Sequence, residues 1–143
     1  MRPPEEVRRE QVRQWVAKAD QDRALIRFLL ENRSPFYSAI GFHAQQAVEK
    51  YLKALLTRHH IEFPKSHSIT RLLTLLAGSD PELADSLADT EILSAYAVES
   101  RYPGDLPNLS EKEALEAQIL ADRTRQCVLA RLDIQDDESK EIR

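Results

Sequence analysis

The chain has 143 residues, 42% hydrophobic and 31% charged, with a formal net charge of −4. That length suits one domain with a core of its own, and that balance excludes a disordered or fibrous chain. Three glycines argue against a Gly-rich phosphate loop or a turn-rich β protein. The lone Cys127 excludes an internal disulfide and a cysteine metal cluster, and the acidic balance argues mildly against non-specific attraction to nucleic acid.

Met1 to Gln14 is charged and lacks the apolar centre of a signal peptide. No apolar run approaches the ~20 residues of a membrane span. The expectation is a cytoplasmic protein with no membrane contact. Val7 to Glu31 reads as a first helix, with Val12, Trp15, Val16, Ala19, Ile26 and Leu30 near helical spacing. Asn32-Arg33-Ser34-Pro35 ends it. Ser34 is the expected cap of a second helix that runs from Pro35 to about His60. Pro64 falls in the next loop, Ser66 is the expected cap of a third helix, Ser68 to Ala77, and Gly78 stops it.

Asp80-Pro81 opens a short turn or helix to about Ala88. Thr90 to Ser100 reads as a fourth helix that ends before Pro103-Gly104, because the residue before a proline resists helical geometry. Ser110-x-x-Glu113 is a capping box that opens a last helix to about Leu132. Residues 1–133 are therefore expected to form one helical domain, and residues 134–143 a charged, frayed tail. Strand-like alternation is absent. The fold class is all-α, an antiparallel four- to five-helix up-and-down bundle. The expected core holds Trp15, Ile26, Ile40, Ala44, Val48, Tyr51, Leu52, Leu55, Leu72, Leu76, Leu93, Ile119 and Val128.

The second helix carries most information. Ile40, Ala44, Ala47, Val48, Tyr51, Leu52, Ala54 and Leu55 share one apolar arc, with small alanines that admit a close neighbour. The opposite arc holds His43, Gln45, Gln46, Glu49, Lys50 and Lys53, together with Phe42 and Leu56. Two large apolar groups on a polar arc fit either a homodimer interface or scattered surface hydrophobes. Glu49 and Lys53, spaced i,i+4, fit either a solvated helix pair or polar groups held in a cleft.

The stretch Phe42-His43-Ala44-Gln45-Gln46-Ala47-Val48-Glu49-Lys50-Tyr51-Leu52-Lys53-Ala54-Leu55-Leu56 resembles the signature helix of the HEPN family (higher eukaryotes and prokaryotes nucleotide-binding). Lys65-Ser66-His67-Ser68-Ile69-x-x-Leu72-Leu73 is similar to that family's following segment. Tyr96 and Arg101-Tyr102-Pro103 resemble its later Arg-Tyr-Pro element, and Trp15, Ala19, Asp20 and Asp22 its opening helix. The likeness runs from about Val12 to Leu132. It implies a helical bundle that commonly dimerises and an association with nucleotides or RNA. It also implies, for bacterial-type members, a minimal nucleotidyltransferase partner and in some cases a toxin–antitoxin pair.

Ribonucleolytic members of that family carry an arginine followed, after four to six residues, by a histidine. None of His43, His59, His60 and His67 has an arginine at that distance upstream. Lys53 stands there before His59 and His60, but lacks the guanidinium fork. No catalytic residue, metal site or cofactor is therefore assigned. The adjacent His59 and His60 point about 100° apart and suit a solvated helix end better than a metal. His67 is expected to assist the third helix's cap and Cys127 to be a buried, inert thiol.

The expected function is a binding module that dimerises and serves a nucleotide, an RNA or a nucleotidyltransferase partner. The rivals are a degenerate, metal-independent ribonuclease toxin and a purely structural interaction domain. The expected ligand site joins His43, Gln46, Glu49, Lys50 and Lys53 to Arg101 and Tyr102. Arg101 would grip phosphate and Tyr102 would stack on a base. The alternative is structural, with Arg101 paired to Glu49 across the bundle.

Overall fold

A computed structural model describes residues 3–96 and 108–134. Among these there are helices and no strand. In chain order they are α1 (Pro4–Glu31), α2 (Tyr37–Arg58), α3 (Ile69–Ala77), α4 (Pro81–Ser86), a 3-10 helix (Ala88–Tyr96) and α5 (Glu111–Leu132). Helix α2 is the axis of the bundle, packed against α1, α5, α3 and the 3-10 helix. Its alanines 44, 47 and 54 are completely buried and leave room for helices on several sides. Around them Ile26, Ile40, Tyr51, Leu52, Leu55, Ile69, Leu72, Leu76, Leu93 and Val128 close the core. Each large side chain so buried contributes about 1.5–3 kcal/mol.

Helix α1 runs antiparallel to α2 and to α5. Asp20 meets Tyr51 and Asp22 meets His43 across α1 and α2, while Asp20 meets Arg125 and Arg23 meets Asp122 across α1 and α5. The capping box forms as expected, with the Ser110 hydroxyl accepting from the Glu113 amide and the Glu113 carboxylate from the Ser110 amide. No helix among the described residues is long and apolar enough to cross a membrane.

Several expectations are corrected. Ile119 is 62% exposed. It sits two residues from both Ala117 and Ala121, which are buried, and two residues turn a helix by about 200°. Trp15 is only half-buried, packed edge-on against Phe63. Leu56, assigned to the polar arc, is fully buried within the single chain and is not available to a second surface. Cys127 is half-buried. Helix α2 starts at Tyr37 with no side-chain cap, and the Ser34 hydroxyl instead accepts from the Phe36 amide. The cap of α3 is Ser68, which accepts from the Arg71 amide, rather than Ser66.

The fourth α-helix is a 3-10 helix as far as Tyr96. Leu87, Thr90 and Leu93 are buried at a spacing of three, and side chains three apart eclipse in a 3-10 helix, so Thr90 and Leu93 line up on the core in that form. The Thr90 hydroxyl donates to the Leu87 carbonyl and helps hold it. Residues 97–107, with Arg101, Tyr102 and Pro103, and the tail from 135 lie outside the described residues.

Asp80 links two helices. One carboxylate oxygen accepts from the Leu83 amide at 3.1 Å, capping α4, and the other from Arg131 Nε at 2.7 Å. The Arg131 hydrogen bond holds the Asp80 carboxyl below its ordinary range. A depressed folded-state pKa adds stability above the unfolded value, about 4, and that stability disappears as pH falls through the folded value. Asp80→Ala is therefore expected to cost about 0.5–2 kcal/mol at neutral pH. In urea melts this difference should shrink below about pH 4. Asp80→Asn keeps the cap and should cost less; an equal loss for both would deny the cap its share.

Candidate functional site

The site starts from a conflict in α1. Asp22 lies on the buried stripe of that helix, between Ala19 and Ile26. A carboxylate there needs partners, because an unpaired buried charge is costly. Helix α2 supplies them in His43 and Lys50, the two ends of a stripe at i, i+3 and i+7 that has Gln46 between them. His43 Nδ1 is 2.8 Å from one Asp22 oxygen and Lys50 Nζ donates to the other at 2.6 Å.

A carboxylate in this pair only accepts, so Nδ1 carries the proton and donates. That fixes the imidazole and leaves Nε2, on the far side of the ring, without a partner among the described residues. The His43 and Lys50 side chains remain partly exposed. Gln46 is half-buried and donates to the Gln45 side-chain oxygen at 2.8 Å, which leaves its own carbonyl oxygen without a partner among the described residues. The stripe thus presents an oriented imidazole, an amide oxygen and an ammonium. It can hydrogen-bond a hydroxyl, a base edge or a phosphate.

Glu49 and Lys53 are placed differently. They are buried, at 2% and 7% exposure, with Lys53 Nζ donating to Glu49 at 2.5 Å. The Gln45 amide nitrogen donates to the other Glu49 oxygen at 3.2 Å and to the His67 carbonyl at 3.1 Å. His67 Nδ1 lies 3.0 Å from Glu49. The Lys53 ammonium stands 5.3 Å from the Trp15 ring centre and 5.8 Å from that of Phe63, within cation–π range. This hub ties the loop after α2 to α1. It braces the stripe from behind and is neither a solvated helix pair nor an open cleft. His67 belongs to it through its ring and carbonyl rather than to the cap of α3.

A third cluster joins α1, α2 and α5. One Asp20 oxygen accepts from the Tyr51 hydroxyl at 2.5 Å and from Arg125 Nε at 2.9 Å. Burial, and then the bond to Asp20, pushes the Tyr51 phenol well above its ordinary range, so it remains a neutral donor.

Of the seven site residues expected, the structure brings His43, Gln46 and Lys50 onto one accessible stripe and holds Glu49 and Lys53 inside. Arg101 and Tyr102 lie outside the described residues. Asp22 completes the stripe, and the sequence reading gave it no role there. A model of the HEPN domain matches residues 12–131. The chain belongs to the HEPN domain family. No curated protein and no solved structure matches it. The HEPN match takes in Asp22, the whole stripe and the buried hub, so all three clusters lie inside the family domain. The arginine–histidine spacing of ribonucleolytic HEPN members remains missing around His43, whose imidazole is oriented by a carboxylate from another helix instead.

Proposed function

We propose that this HEPN domain is an RNA- or nucleotide-binding module whose His43–Gln46–Lys50 stripe contacts the ligand. It acts as a homodimer beside a minimal nucleotidyltransferase partner, in a toxin–antitoxin-like pair in the cytoplasm. The observation that carries the reading is the His43 imidazole, fixed by Asp22 with Nε2 unengaged, next to the Lys50 ammonium. With Leu56 buried, the dimer rests on half-buried Phe42 and on the exposed Phe28, Phe36 and Ile119. Light scattering at tens of micromolar should return twice the chain mass, and a monomer would count against it. Co-purification with a minimal nucleotidyltransferase encoded beside its gene tests the partner.

Binding of a short labelled single-stranded RNA, followed by fluorescence anisotropy, tests the stripe. His43→Ala with Lys50→Ala should weaken it at least about tenfold, equivalent to about 1.4 kcal/mol. Because these changes also strip Asp22 of both partners, Asp22→Asn is added to the variant, whose circular dichroism spectrum should then match the parent's. An unaltered affinity sinks the stripe as the site.

The same dyad favours a second reading. An imidazole held by a carboxylate is the arrangement of a general acid or base, worth about 10²–10⁴-fold in rate. If purified protein cleaves RNA rapidly and His43→Ala abolishes this, the protein is an unusual ribonuclease and the non-catalytic reading fails.

A further inference from the structure

Helix α5 ends at the edge of a groove. Asp133 follows that helix in the left-handed conformation. The Asp133 amide donates to the Ala130 carbonyl at 3.3 Å and the Ile134 amide to the Leu129 carbonyl at 3.0 Å. This paired closure stops the helix and turns the chain off its axis. It brings Ile134 into a groove of about 730 Å³ between the first half of α1 and the ends of α2 and α5. Val12, Val16 and Leu132 line the groove beside Ile134. So do three exposed arginines, Arg9 and Arg13 from α1 and Arg58 from the last turn of α2.

Their pairing sets these arginines apart. Arg23, Arg123, Arg125 and Arg131 each meet a carboxylate, at Asp122, Asp89, Asp20 and Asp80. No ion pair joins Arg9, Arg13 or Arg58 to a carboxylate among the described residues. Asp20 and Asp133 also line the groove, but Asp20 is engaged by Tyr51 and Arg125, and Asp133 pairs with none of the three among those residues. An arginine in a last turn needs no partner, since it complements the helix dipole. That accounts for Arg58 alone. Arg9 and Arg13, one turn apart on one face, lie far from the C-terminal end of α1.

The sequence just after Ile134 carries the opposite charge. Asp136, Asp137 and Glu138 come two to four positions further on. Four residues span at most about 14 Å, so the chain cannot carry these carboxylates far from the groove. A tether this short gives an effective concentration on the order of millimolar, which favours contacts too weak to hold separate molecules together. Guanidinium and carboxylate match through two parallel hydrogen bonds.

We infer that the groove receives the chain's own acidic segment, with Asp136, Asp137 and Glu138 paired to Arg9, Arg13 and Arg58. Docked there, the segment ties the end of α5 to the first half of α1 and closes the groove to other acidic ligands. The inference stands apart from the His43 stripe and holds whether or not that stripe binds RNA.

A nitroxide label tests it. Cys127→Ser with Ser139→Cys leaves one thiol to carry the label. In the whole chain the label should attenuate the backbone amide NMR signals of residues 9–17, relative to the reduced label. In 1 M salt, where the Debye length is about 3 Å, the attenuation should disappear. Arg13→Glu with Arg58→Glu should abolish it, and so should Asp136→Lys with Asp137→Lys and Glu138→Lys. The two arginines are exposed, so their variant should keep the parent's circular dichroism spectrum. Combining both sets of reversals should restore the attenuation. No attenuation in the parent, attenuation that survives either set of reversals, or no recovery in the combined variant overturns the inference. A mixture of labelled chain with unlabelled, nitrogen-15 chain should show no attenuation. Attenuation there would place the segment in the groove of a second copy and overturn the assignment to its own chain.

Discussion

Glu49→Ala is expected to destabilise the protein by about 3–5 kcal/mol, the usual cost of breaking a buried ion pair from one side. For a domain of this size that is a fall of roughly 10–20 °C in Tm. The change removes the acceptor shared by Lys53, Gln45 and His67. The Lys53 ammonium is left buried with only the rings of Trp15 and Phe63 for company. Such ring contacts are worth about 0.5–2 kcal/mol, too little to offset the desolvation of a cation. Glu49→Leu combined with Lys53→Met removes both charges while keeping volume, and should recover most of the loss. A cost below about 1 kcal/mol for Glu49→Ala would mean that water reaches the pair and that it behaves as a surface salt bridge. His67→Ala should cost far less, since that side chain is mostly exposed.

The limits of the sequence reading come from the same residues. The i,i+4 spacing of Glu49 and Lys53 identifies a pair but says nothing about its burial. Burial here is imposed by Trp15, thirty-four positions before Glu49 in the chain, and by the loop residues Phe63 and His67. Periodicity within one helix carries no record of either. Leu56 failed for a related reason: α2 is covered on more than two sides, so a residue outside its main apolar arc is still core.

Other features were legible and passed over. Asp22 sits at helical spacing from Ala19 and Ile26, and a carboxylate in an apolar stripe demands a partner on the next helix. Leu87, Thr90, Leu93 and Tyr96 recur at three, the period of a 3-10 helix rather than 3.6. Ile119 lies out of phase with the alanine stripe of α5. The helical architecture was readable because its caps are local: Ser110 with Glu113, Asp80 with Pro81, and Gly78. The site was only partly readable, because its orienting group comes from a different helix than its stripe.

The junction of α1, α2 and α5 should respond to pH in a way that identifies it. Tyr51 is fully buried, and its phenol is raised above the ordinary range by burial first and by its bond to Asp20 second. A group whose folded pKa is raised adds stability below its unfolded value, about 10 for tyrosine, and that stability is lost as pH rises beyond it. Wild-type stability should therefore fall above about pH 10. Tyr51→Phe should remove this component, at a cost near neutral pH of about 1.5–3 kcal/mol for a hydrogen bond to a charged acceptor. Arg125→Met, which withdraws the second donor from the same Asp20 oxygen, should cost about 3 kcal/mol. The Asp20 side chain is partly exposed, so water tempers that loss. Because both donors share one oxygen, the two changes should not add. A double-mutant cycle in urea should return a coupling of about 0.5–3 kcal/mol. Strict additivity would mean that Tyr51 and Arg125 stabilise the bundle independently, and that Asp20 is not what joins the three helices.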